Sequence, residues 1–122
     1  MRRRADQLIP LEAAILEAAT YLTRRGTPDF HGYALATRIR SVADRRALTA
    51  YGTLYRALHR LERAGLLEGF WEDPSRAEAG GRPRRRLYRI TPQAAQALAR
   101  ARAEERTAER TRRLKTSVES AS

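Results

Sequence analysis

Cysteine is absent from the 122 residues, which excludes disulfides, thiolate catalysis and cysteine-based zinc sites. Lysine is nearly absent as well: Lys115 is the single lysine, so almost all positive charge is arginine. Histidine occurs only at His31 and His59, which fall on separate segments with no carboxylate spacing of a metal site beside them. No glycine-rich phosphate loop, serine elbow or paired-carboxylate motif is present. The expectation is therefore no catalytic residue, no metal and no cofactor, with an enzyme the weakest class. Long apolar runs are missing too. No segment approaches the roughly 18 residues of a membrane span. The N-terminal stretch MRRRADQLIPLEAAILEAATYL starts like a signal peptide, but Glu12 and Glu17 interrupt it. A cytoplasmic protein without a membrane partner is expected.

What is plentiful is cationic. Formal net charge is +11 and the pI is about 11.3. Charge of that size says nothing about fold, but it favours an anionic partner and fast electrostatic capture. Arginine suits planar recognition of phosphate and guanine; arginine with abundant alanine is equally what a GC-rich genome encodes. The length suggests one folding unit.

Along the chain, Leu8, Leu11, Ile15, Ala18, Ala19 and Leu22 recur at helical spacing, predicting an amphipathic helix over 7–25 that ends at Gly26-Thr27-Pro28. A second helix is predicted over 31–43, with Leu35, Ile39 and Val42 inward and Arg38 and Arg40 outward. After the connector Asp44-Arg45-Arg46, Thr49 can cap a third helix running to about Ala64, where Gly65 suits a left-handed C-terminal cap. Residues 66–71, LLEGFW, suit a strand, with Trp71 packed against the helices. EDPSRAEAGGRPRR has no hydrophobic period and is predicted as a flexible loop; RLYRI at 86–90 alternates as a half-buried strand does. Thr91-Pro92 opens a last helix reaching about Leu114, with a thin stripe of Ala94, Ala97, Leu98, Ala101 and Ala108, and a frayed tail from Thr116. The expected fold is mainly α with a small β-hairpin: a winged helix-turn-helix over 1–90 and a C-terminal helix over 91–122.

At 100° per residue, the third helix turns Leu54, Ala57, Leu58, Leu61 and Tyr51 toward one side and Gly52, Arg56, His59 and Arg63 toward the other, with Tyr55 on the edge. An ordinary solvated face mixes acids with bases; this one carries guanidinium, imidazole and phenol groups, and Gly52 permits close backbone approach. Such a face fits a recognition helix reading base edges in the major groove, although in a basic protein it also fits a plain solvated surface. The cluster Arg82, Arg84, Arg85 and Arg86 beside Gly80-Gly81 and Pro83 adds a basic hairpin tip able to reach phosphates or a minor groove. Arg2-Arg3-Arg4 reads as a solvated terminus.

HGYAL at 31–35, GTLYRALHRLERAGLLEGFWE at 52–72 and GRPRRRLYRIT at 81–91 together resemble the PadR family of bacterial transcriptional regulators, in one consistent order over roughly residues 8–98. The most specific block is LY-x-x-L-x-R-L-E-x-x-G-L-L. The resemblance implies winged-helix homodimers that bind inverted-repeat operators and usually repress, paired mainly through the last helix with help from the first. It implies residues 49–59 as the recognition helix, Tyr55 as a backbone-contacting tyrosine and 81–86 as the wing tip. The candidate DNA-contacting set is thus Thr49, Tyr51, Gly52, Thr53, Tyr55, Arg56, His59, Arg63, Arg82, Arg84, Arg85 and Arg86. Arg56 stands where the family often has proline, which adds a side chain on the DNA side. Ala94 stands where a glycine is common, which favours helix. No Trp, Phe or Tyr follows Tyr88, so the C-terminal region offers no aromatic pair for a sandwiched ligand, and any small-molecule effector is unknown. The expected partners are double-stranded DNA and a second copy of the chain. The alternatives are a winged-helix protein-interaction adaptor and a non-specific architectural binder of nucleic acid.

Overall fold

A computed structural model describes residues 7–42 and 51–121. Helix α1 spans Pro10–Arg24, β1 Phe30–His31, α2 Gly32–Val42, α3 Tyr51–Arg63, β2 Leu67–Trp71, α4 Pro74–Ala79, β3 Arg86–Ile90 and α5 Pro92–Ala121. The three strands form one antiparallel sheet in the order β1-β3-β2. The third strand is an addition to the expected hairpin: two residues before α2 pair with β3, Phe30 against Tyr88 and His31 against Leu87. A two-residue strand carries no period, so nothing in the sequence pattern announced it.

The helices assemble on the apolar stripes read from the sequence. Leu11, Ile15, Ala18 and Ala19 of α1, Leu35 and Ile39 of α2 and Leu54, Ala57, Leu58 and Leu61 of α3 are buried in one core. Phe30, Leu66, Leu67 and Tyr88 close it from the sheet side, and Ala94, Ala97 and Leu98 from α5. Helix α1 begins later than predicted, at Pro10 rather than residue 7, because Pro10 takes the first helical position and Glu12 Oε1 accepts from the Ile9 amide at 3.0 Å. Gly65 ends α3 at φ +77°, a left-handed conformation that a side chain would strain, with the Leu66 amide donating back to Leu61 O at 2.9 Å.

Two further expectations change. The segment expected to be a structureless loop contains α4, which starts at Pro74 behind an Asp73 cap on the Ser75 amide (2.9 Å) and buries Ala77. Thr91 donates its hydroxyl to Gly65 O at 2.7 Å, tying the start of α5 to the end of α3. Helix α5 continues to Ala121 instead of ending near Leu114, with the tail from Thr116 helical. Only its first turns touch the core: Ala101 is half-buried, and every residue from Arg102 to Glu119, Ala108 included, is exposed. No helix among the described residues is long and apolar enough to cross a membrane.

Candidate nucleic-acid interface

On α3 the angular separation holds. Gly52, Tyr55, Arg56, His59 and Arg63 are exposed, and Thr53 is half-buried. Arg56 Nη2 donates to Thr53 Oγ1 at 3.3 Å, one turn earlier on the same helix. With Arg60 and Ala64, the side chains of Arg56, His59 and Arg63 line a shallow cationic trough. Among the described residues neither Arg56 nor Arg63 is in an ion pair. Thr49, the connector Asp44-Arg45-Arg46 and Arg2-Arg3-Arg4 lie outside the described residues, as do the side chains of Val42 and Tyr51.

Arg60 is on the same helix but does other work. Its Nε and Nη2 fork onto the Glu12 carboxylate, Nη2 at 3.0 Å from Oε1, and Nη2 also donates to Gln7 O at 2.7 Å. Glu12 is only 1% exposed. A buried carboxylate needs both a counter-ion and filled lone pairs; the Ile9 amide and Arg60 supply them. This pair fixes the N-terminus of α1 against the middle of α3. The signal was present in the sequence: Glu12 interrupts an apolar stripe, and an acid on that side of a helix demands a cation from another element.

The wing is ordered around Glu72, which is buried. Both Arg82 Nη groups bond its carboxylate, Nη2 at 2.8 Å from Oε2. Arg84 Nε donates to the Glu72 carbonyl at 2.8 Å, and the Arg85 amide lies 3.4 Å from Oε1. The Arg82 hydrogen bond, with the charges of Arg82 and Arg85 and the Arg85 amide, holds the Glu72 carboxyl down to about 2 against its burial. This corrects the expectation of a flexible loop over these residues. Glu72 meets the arginines because β2 and β3 pair through Trp71–Arg86, so the residues flanking that rung come together. Arg82 is committed to the wing's own structure, whereas Arg85 makes no side-chain hydrogen bond among the described residues, its Nε 4.0 Å from Glu72 Oε1.

Arg86 occupies a third setting. Its Nη2 donates to Glu62 Oε1 of α3 at 2.7 Å, and its guanidinium lies 5.5 Å from the Trp71 ring. Gly69 makes room for this pair, since a Cβ there would overlap Glu62 Oε1. Trp71, expected in the core, is 57% exposed. It is the last residue of β2, and its ring meets an arginine at the wing edge instead of the helices.

A second group was missed because it depends on β1. His31, Gly32, Tyr33, Tyr55, Arg85 and Arg86 line one cleft between the start of α2, α3 and the wing. His31 caps α2 through its side chain, accepting from the Ala34 amide at Nδ1 (3.2 Å), and stacks with Tyr33 at 6.3 Å between ring centroids. Burial, then the charges of Arg85 and Arg82, lower the His31 pKa, with Glu72 opposing. Among the described residues no group of three or more His, Cys, Asp or Glu could hold a metal ion.

A helix-turn-helix pair bearing an acid-free exposed face, next to a three-stranded wing that presents arginines, defines a winged-helix DNA-binding protein. The chain matches the transcriptional regulator PadR-like family over residues 22–100 and belongs to it. Solved structures agree on the fold. A PadR family transcription regulator of Clostridium difficile R20291 is 22% identical, with 83% of this chain and 92% of that chain covered and a TM-score of 0.63. A PadR-like transcriptional regulator of Bacillus cereus is 23% identical, covering 83% and 85% at 0.58. A PadR family transcriptional regulator of Eggerthella lenta is 27% identical, covering 82% and 91% at 0.52. No curated protein matches in sequence. The chain is thus a DNA-binding transcriptional regulator by family.

Proposed function

We propose that the chain acts in the cytoplasm as a homodimeric repressor on an inverted-repeat operator. Residues 1–90 serve as the DNA-binding unit and 91–122 as the dimerisation element. Each protomer lays α3 into a major groove, the two about 34 Å apart, with Arg56 and His59 toward base edges and Tyr55 toward the backbone. Arg84 and Arg85 reach flanking phosphates or a minor groove. The observation that carries this reading is the exposed face of α3, where Gly52, Tyr55, Arg56, His59 and Arg63 stand together with no acid among them. Dimerisation is supported by Leu114 and Val118, apolar side chains 63% and 70% exposed on α5 far from the core. An effector, if one acts, works by changing the spacing of the two α3 helices.

A gel-shift with duplexes selected from a random pool tests the reading. Enrichment of a two-fold symmetric site, and a discrete complex that survives excess non-specific DNA, are expected. Binding that is indifferent to sequence points to an architectural role, and no binding to any duplex at low salt removes DNA as the partner of this face.

A further inference from the structure

We propose that the cleft between the start of α2, Tyr55 and the wing is a seat for a single phosphodiester group, in which His31 serves as a neutral hydrogen-bond donor beside Tyr55 and Arg85. The proposal rests on the DNA-binding reading and deepens it, adding α2 and β1 to a contact surface otherwise made of α3 and the wing tip.

The donors converge from separate elements on one cleft of about 270 Å³. Arg85 brings a guanidinium with no hydrogen-bond partner of its own among the described residues, 4.0 Å from the nearest carboxylate oxygen. Tyr55 brings a phenol on a half-exposed ring. That ring lies over Gly32: a Cβ there would stand 3.0 Å from Tyr55 Oη, so a side chain at 32 would press the ring away by a few tenths of an ångström. Tyr33 is exposed at the rim and stacks on His31.

The role of His31 follows from its cap. Nδ1 accepts the Ala34 amide, so in the neutral ring the proton must sit on Nε2. Protonating the ring would place a hydrogen on Nδ1 and break the cap. Burial first, then the positive charges of Arg85 and Arg82, lower the His31 pKa and favour the neutral ring, and Glu72 partly offsets them. The other groups lining the cleft are Tyr33, Tyr55 and Arg86. Of these, Arg86 is already paired with Glu62. A neutral imidazole whose tautomer is fixed by its own helix gives a donor for a phosphate oxygen at no cost in proton uptake. One phosphodiester oxygen meets Nε2–H and Tyr55 Oη–H, and another meets Arg85.

The test is a scan of single methylphosphonate substitutions, which neutralise one phosphate at a time, along a duplex selected by the protein itself. One position in each half-site should weaken wild-type binding about tenfold, as expected for a hydrogen-bonded charged group. At that same position the loss should shrink toward none in Arg85→Ala, Tyr55→Phe and His31→Asn, while other positions keep their effect. Asn at 31 retains a capping oxygen, so folding is preserved and read separately by thermal melting; Gly32→Ala, which presses on the Tyr55 ring, should weaken the same coupling. Wild type and His31→Asn should have parallel affinity–pH profiles between pH 6.5 and 8. The ¹⁵N signal of His31 Nε2 should move on adding the duplex but not on adding inorganic phosphate at matched ionic strength. If the protein binds duplex but no phosphate position couples to all three residues, the seat is refuted while the DNA reading stands. If affinity rises as pH falls and His31→Asn removes the rise, the neutral-donor role is overturned. A response to inorganic phosphate alone would assign the cleft to free phosphate instead.

Discussion

At the residue scale, six arginines on one surface do different jobs, and the partner of each decides which. Arg60 is bound by buried Glu12, Arg82 by buried Glu72 and Arg86 by Glu62, whereas Arg56, Arg63 and Arg85 make no side-chain bond to an acid within hydrogen-bond distance. Substituting Arg56 with Ala should therefore leave stability nearly unchanged and cost about 1–3 kcal/mol of binding if it reads a base. Loss confined to one operator position identifies base readout; a uniform loss, with the salt slope reduced by about 0.9, identifies a phosphate contact. Arg60→Met has the opposite profile. It leaves Glu12 buried without a counter-ion and should destabilise the fold by about 3–5 kcal/mol in a denaturant titration. The outward set on α3 was legible from a 100° count alone. The division of labour among the arginines was not, because the acids that bind them come from residues 12, 62 and 72, and no local period relates those positions.

At the element scale, the wing is a folded unit, and its keystone is acidic. The folded Glu72 carboxyl is held at about 2 by Arg82, below the unfolded value near 4.5. Its contribution is therefore fully present above pH 4.5 and is lost as pH falls toward 2. Amide-exchange protection around 72–86 should be flat from pH 8 to 5 and decline only below about 4.5 in the wild type. Glu72→Gln should weaken that protection already at neutral pH while leaving the core helices protected. Gly69 carries a second constraint. A methyl group at this position would collide with Glu62 Oε1, so Gly69→Ala must displace the Glu62–Arg86 pair. We expect a fall of a few degrees in melting temperature together with a change in the fluorescence of Trp71, whose ring borders Arg86. Glycine in a strand interior reads from sequence as a weakness or a bulge; only the approach of α3 explains it here.

At the scale of the whole molecule, the core ends where α5 leaves it. Leu98 is buried and no residue from Arg102 to Glu119 is, so a helix of 30 residues, about 45 Å long, extends most of its length from the fold. An exposed helix with low apolar content is stabilised by tertiary or subunit contacts rather than by propensity. Removing residues 102–122 should leave the core folded, as read by melting, and, for the proposed dimer through α5, yield a monomer in sedimentation. Operator affinity should fall by well over tenfold, because two half-sites then bind independently.

The sequence by itself determined the order of the main helices and strands, the buried faces of α1, α2 and α3, the exposed face of α3 and the family to which the chain belongs. These depend on local spacing and short motifs, which a linear chain carries intact. Only the tertiary structure decided that β1 joins the sheet, that Glu72 orders the wing, that Trp71 stays at the surface, and that His31 meets Tyr55 and Arg85 in one cleft. Those outcomes depend on which distant charges and backbones come within about 3 Å of each other, where hydrogen bonds form, and chain folding alone sets that distance.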